Sequence, residues 1–141
     1  MIPNFVDTRL FRPFDDAQLK ARFAPRGEKL LVHASNFRKV KNLGAVVNVF
    51  SEVSEVVPSR LLLIGDGPEM PAVRQQVSRS GLEDKVAFLG QVDSLEDVLP
   101  VADLLLLPSL HESFGLVALE AMACGVIPVV TNRGGAGEFI H

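Results

Sequence analysis

Two carboxylates, Glu112 and Glu120, stand eight residues apart around the run Ser113-Phe114-Gly115. A loop that enters a helix at this run presents first-turn N–H groups that have no intrahelical partner and form the positive end of the helix dipole. Such groups suit a phosphate or a sugar hydroxyl, and Gly115 lets a ligand come close to the backbone. Eight helical steps span roughly 12 Å, about the reach from a sugar to a ribose, so the two carboxylates could meet two ends of one extended ligand. Plainer roles are open to both: Glu112 as a first-turn acid favoured by the dipole, Glu120 as part of a solvated helix face. Apolar neighbours make Glu120 an odd surface position.

A second chemical segment is Ser35-Asn36-Phe37-Arg38-Lys39-Val40-Lys41-Asn42. Its three cations could neutralise the growing charge of a departing diphosphate, or form a solvated basic loop. Gly65-Asp66-Gly67-Pro68 is a tight turn that could admit a nucleotide, though such turns are often purely structural. Neither a G-x-G-x-x-G fingerprint nor a P-loop is present. Gly134-Gly135 offers N–H groups for an anion nest. Of the histidines, His33 falls on an inner strand and His111 in the candidate loop, which makes His111 the better polar contact. Asp103, just before a strand, reads as a cap or turn residue.

The elements that must hold these loops alternate five times. Strands are expected at Leu30–Ala34, Leu61–Ile64, Val86–Leu89, Leu104–Leu107 and Ile127–Thr131. Helices are expected at Asn42–Val57, Glu69–Ser80, Leu95–Val101 and Phe114–Ala123, with Gly81 and Gly125 closing two of them. The helix at 42–57 turns Leu43, Val46, Val47 and Phe50 to one side. Several strands are apolar without alternation, as strands covered on both faces are. The pattern predicts an α/β fold with a Rossmann-like, doubly wound parallel sheet. Ligands then bind at the carboxyl ends of the strands, which selects the loops at 35–41, 65–68, 90–92, 108–115 and 132–135. Residues 1–27, with Pro3, Pro13 and Pro25, read as an irregular lead-in with one short helix near Asp15–Arg22; residues 28–141 form the regular domain.

Composition narrows the class. The chain has 141 residues, the size of one domain, and its 48% hydrophobic content is enough for a core. A net charge of −3 argues against a nucleic-acid surface. The single cysteine, Cys124, reads as a small core residue, and no Cys/His spacing suggests zinc. The amino terminus has no signal-peptide pattern and the apolar runs are too short to span a bilayer, so a cytoplasmic location is the expectation.

Across nearly its whole length the sequence resembles glycosyltransferase family 4, whose members have the GT-B fold. The resemblance is carried by Pro3-Asn4-Phe5-Val6-Asp7, Ile64-Gly65-Asp66-Gly67-Pro68, Phe88-Leu89-Gly90, Ala102-Asp103, Pro108-Ser109 and Thr131 to Gly135. Its strongest part is the Glu, seven residues, Glu motif of Glu112 and Glu120. It implies the carboxyl-terminal, donor-binding half of a retaining enzyme that uses a sugar nucleotide. Glu112 would stand beside the donor sugar, with the N–H groups of Ser113, Phe114 and Gly115 near its hydroxyls or the phosphates. Glu120 would hold the ribose, and the base would lie near Gly90, Gln91 and Val92. Lys41 matches the family's diphosphate-binding lysine. The usual arginine is replaced by Asn36, so Arg38 is expected to substitute. No metal or other cofactor is implied, a UDP-sugar being the donor substrate.

Within the family, Ser35–Lys41 and Glu112–Leu116 are most similar to members that join N-acetylglucosamine from a UDP donor to L-malate, the opening step of bacillithiol biosynthesis. Gly137 departs from the proline common at its place. The resemblance implies that the acceptor domain and the last strands and helices lie outside this chain. The isolated domain is therefore expected to bind donor weakly, turn over little and self-associate through exposed apolar surface. A non-catalytic sugar-nucleotide-binding or assembly module, working with a partner chain, is the alternative. An oxidoreductase fragment is disfavoured by the missing dinucleotide fingerprint.

Overall fold

The computed structural model describes residues 9, 11–13, 17–38, 41–108 and 116–130. Five strands, β1 (Lys29–Ala34), β2 (Ser59–Ile64), β3 (Val86–Gly90), β4 (Leu104–Leu107) and β5 (Ile127–Val130), form one sheet. All pairings are parallel, in the order β3-β2-β1-β4-β5. The helices are α1 (Ala17–Phe23), α2 (Leu43–Val56), α3 (Met70–Arg79) and α4 (Leu116–Ala123).

The unbroken apolar strands have the expected cause. Successive side chains point to opposite faces, and both faces are covered. Leu30, Val32, Ala34, Leu62 and Leu105 pack into one layer with Leu99, Val101, Ala121 and Cys124. Leu31, Leu61, Leu63 and Leu106 pack into the other with Leu43, Val46, Val47 and Phe50 of α2 and Val73 and Val77 of α3. The lead-in contributes to the first layer: Phe11 and Ala24 are buried there, and Leu19 and Phe23 pack against it. Lys20 of α1 also meets Asp103 at 3.5 Å.

Helix ends follow the glycines. Gly81 (φ 68°) lets Leu82 N–H reach Val77 O at 3.1 Å and Gly81 N–H reach Ser78 O at 3.1 Å. Gly125 (φ 80°) does the same for α4, with Val126 N–H on Ala121 O at 2.8 Å. Both are left-handed closures that use carbonyls the helix leaves over. At the front of α2, Asn42 takes left-handed angles (φ 57°), which asparagine tolerates better than most residues.

One expected helix is corrected. The segment 95–101 is not a continuous α-helix but two 3-10 turns, Leu95–Asp97 and Leu99–Val101. Pro100 has no N–H to give to the residue four back. The segment therefore uses three-residue bonds, such as Val98 N–H to Leu95 O and Ala102 N–H to Leu99 O, both 3.0 Å. The start of the expected helix at 114–115 and the last residue of the expected strand, Thr131, lie outside the described residues. Among the described residues, no helix is long and apolar enough to cross a membrane.

Candidate functional site

Strand order reverses at β1, with β2 and β3 to one side and β4 and β5 to the other. In open parallel sheets ligands lie beyond the carboxyl ends of the strands near such a reversal. A hollow of about 290 Å³ is found there, lined by Ala34 and Ser35 at the end of β1, Ile64 and Gly65 at the end of β2, Gln91 and Val92 after β3, Leu95, and Val117 of α4.

The loops around it are bound to one another by backbone. Ser35 N–H donates to Ile64 O (3.1 Å), Phe37 N–H to Asp66 O (3.0 Å), Glu69 N–H to Phe37 O (2.9 Å) and Gly65 N–H to Gly90 O (2.8 Å). The glycines are required by this proximity. A Cβ on Gly65 would collide with the Ser35 carbonyl, and one on Gly67 would stand 2.7 Å from Phe37 O and 2.8 Å from Phe37 N. Phe37 is fully buried, its ring anchoring the loop in the second core layer. The Ser35–Arg38 turn is thus fixed from below before any ligand arrives, which keeps the ordering cost of binding low.

His33 is completely buried and spans the reversal. Main-chain pairing of β1 with β4 covers only Leu31–Leu104 and Val32–Leu105. Beyond it, His33 Nδ1 takes up the Leu106 carbonyl at 2.7 Å, and Nε2 lies 2.7 Å from Ser35 Oγ. At the other end of the seam Asp103 Oδ2 accepts Leu30 N–H at 2.8 Å, and Asp103 N–H donates to Leu30 O. Asp103 is therefore the strand-end cap that its position suggested.

Glu120 is half-buried on α4, one helical turn beyond Val117 and hence on the same side. Burial pushes its carboxyl above the ordinary value, and repulsion from Glu96 adds to the rise. Glu96 adjoins Leu95 of the hollow. A partly dry carboxylate is suited to accept hydrogen bonds from ligand hydroxyls. Burial also raises the Cys124 thiol, with Glu120 a lesser cause, so Cys124 stays a core thiol.

The expected residues distribute as follows. Gln91 and Val92 line the hollow. Gly90 does not line it; its carbonyl belongs to the backbone brace. Arg38, exposed, and Lys41, half-buried, follow Ser35 on the same loop without lining the hollow. Glu112, Ser113, Phe114, Gly115 and His111 lie outside the described residues, as do Gly134 and Gly135. Ser35 and Gly65 belong to loops selected from the sequence, whereas Leu95 and Val117 were not expected as contacts. Val117 could have been found from its three-residue spacing to Glu120.

A larger concavity, about 1010 Å³, lies at the opposite, amino-terminal end of the sheet. Arg26, Arg60 and Lys85 are balanced there by Glu28, Glu55 and Asp84. Its mixed charge and distance from the carboxyl-end loops leave the smaller hollow as the candidate site.

Comparison with known proteins identifies the family. The family model "Glycosyl transferases group 1" matches residues 15–141. The chain is 47% identical over 139 residues to N-acetyl-alpha-D-glucosaminyl L-malate synthase of Bacillus anthracis, covering 98% of this chain and 36% of that protein. The structure of Anabaena Alr3699/HepE in complex with UDP-glucose superposes with a TM-score of 0.89 at 26% identity, covering 98% of this chain and 40% of that one. The carboxyl-terminal domain of a group 1 glycosyl transferase (LpcC) from Francisella tularensis shares the fold, with a TM-score of 0.84 at 23% identity over 96% of this chain and 75% of that one. The chain spans about a third of the length of the curated relatives it matches.

Proposed function

The chain belongs to the group 1 glycosyl transferases, its parallel sheet matching those of GT-B glycosyltransferases, and from that premise we propose that it is the donor-binding half of such an enzyme and binds a nucleotide-sugar donor for a retaining transfer. The observation that carries the proposal is the hollow at the carboxyl ends of β1 to β3, with Glu120 raised by burial one turn from its wall. In this reading the nucleoside enters the hollow, its base beside Gln91 and Val92 and its ribose hydroxyls on Glu120. Lys41 and Arg38 face the diphosphate. As the bond from the sugar to the diphosphate breaks, an oxocarbenium-like centre develops, and the two cations stabilise the charge on the leaving group. Glu112 and the N–H groups of Ser113, Phe114 and Gly115 take the sugar, as the family resemblance implies.

The finer assignment is N-acetylglucosamine from UDP-N-acetylglucosamine to L-malate, supported by the 47% identity to the malate synthase. The acceptor is held by a second domain or a partner chain, and the reaction is cytoplasmic. Alone, the domain turns over little, because acceptor positioning and water exclusion need that second part. The test is an NMR titration with UDP-N-acetylglucosamine, UDP and UDP-glucose, repeated with Lys41→Ala and Glu120→Ala. Saturable shifts that weaken in both variants are expected, with preference for the N-acetyl sugar. A folded domain that binds none of the three sinks the proposal; equal affinity for both sugars sinks the finer assignment.

A further inference from the structure

The apolar wall of the hollow is the open end of one core layer. Ala34 and Ile64 are buried members of that layer, and Val92, Leu95 and Val117 pack against it. Among the described residues, none from the other layer lines the hollow. The lead-in completes the first layer: Phe11 is buried there together with Ala121, Cys124 and Val126. Its neighbours meet the far end of α4. Pro13 packs on Gly125, where a Cβ would stand 3.6 Å from the proline Cγ, and the Arg12 backbone hydrogen-bonds the Cys124 sulfur. Cys124 is one turn beyond Glu120, with its N–H 3.2 Å from the Glu120 carbonyl. Left to itself α4 has little grip on the sheet. The residues it buries, among those described, are Ala118 and Ala121, and such short side chains make few dispersion contacts.

We propose that Phe11 is a positioning residue for the nucleotide site, acting through α4 to hold Glu120 and Val117 at the hollow. This rests on the reading of the hollow as a nucleotide-sugar site. Eight residues make α4 about 12 Å long, so a tilt at the end that the lead-in covers moves Glu120 relative to Gln91 and Val92. With Phe11 in place the helix is clamped between the lead-in and the sheet. Without it, the carboxylate loses its fixed distance to a ligand hydroxyl, while the loops braced by Gly65 and Gly67 stay as they are.

The test is titration of the chain with UDP. Phe11→Ala should lower the affinity about fivefold, a part of the tenfold or more that losing a hydrogen bond to a charged group removes. Added to Glu120→Ala, it should lower the affinity no further, because the group it positions is already gone. Leu82→Ala supplies the control for a loss of core packing as such. It empties buried volume in the other layer and should leave UDP affinity within about twofold of wild type. If Phe11→Ala does not fold, Phe11→Val takes its place. Unchanged affinity in the Phe11 variant overturns the assignment while leaving the nucleotide site standing. So does the same loss with and without Glu120, or an equal loss in Leu82→Ala. A wild-type chain that binds no UDP overturns both readings.

Discussion

Substituting Gly65 by alanine tests the brace beneath the site. Gly65 has φ 129°, and a Cβ there would collide with the Ser35 carbonyl and touch the Phe37 ring at 3.1 Å. The backbone conformation alone costs an alanine about 1–3 kcal/mol. Displacing packed neighbours adds about 1–3 kcal/mol, and disturbing the Gly65 to Gly90 and Ser35 to Ile64 hydrogen bonds about 1 kcal/mol more. The sum, about 3–7 kcal/mol, is a large share of the about 5–15 kcal/mol that stabilises a domain. Gly81 supplies the control: it too has positive φ, 68°, but nothing lies within 4 Å of a Cβ there. Gly81→Ala should therefore cost only the conformational part, about 1–2 kcal/mol. The assay is urea unfolding followed by far-ultraviolet circular dichroism, since the chain has no Trp or Tyr to report by fluorescence. Equal stabilities for the two variants, within about 0.5 kcal/mol, would refute the reasoning that the loops are braced by contact.

Phe50→Ala, at a fully buried position in the second core layer, should destabilise the chain by about 3–5 kcal/mol in the same assay. Asp103→Ala should cost about 1–3 kcal/mol by leaving Leu30 N–H without its acceptor. Lys20→Ala should cost under about 0.5 kcal/mol, because its ion pair is largely exposed. For Glu120, the folded carboxyl is raised, so between the ordinary carboxylate value and the raised one the folded state binds more protons than the unfolded chain. Stability should then fall as pH rises through that window. Glu120→Gln should flatten this dependence in unfolding curves taken at several pH values, and Glu96→Gln should lower the Glu120 midpoint in a carboxylate NMR titration.

The architecture was readable because each strand is a short apolar run bounded by turn residues, and because Gly81 and Gly125 close helices where only a left-handed residue serves. The split at Pro100 was also available in principle, since a missing N–H favours three-residue bonding over a continuous helix. The site was legible only where a loop's position in the alternation fixed it. Gln91 and Val92 were found because they follow β3. Leu95 was missed because the hollow uses a residue from a turn rather than from a strand end. His33 was weighed below His111 for a physical reason: spacing along the chain gives no hint that a buried imidazole completes β4 across 73 residues of sequence and reaches a hydroxyl two residues ahead.

The narrow seam between β1 and β4 bears on how the chain assembles. β1 and β2 are joined through α2 alone, whereas β1 and β4 meet across more than twice that length of chain and share only two ladder pairs. Closing the longer loop costs about 1 kcal/mol more, with fewer main-chain bonds to offset it. The β1-β2-β3 half is therefore the part that organises first, and the seam joins late. Contacts made after the rate-limiting barrier govern unfolding rather than folding. Loss of the Asp103 cap or the His33 bridge should accordingly leave the refolding rate nearly unchanged and shorten the lifetime of the native state. The imidazole that carries the sheet across this seam would thus help set how long the folded chain lasts.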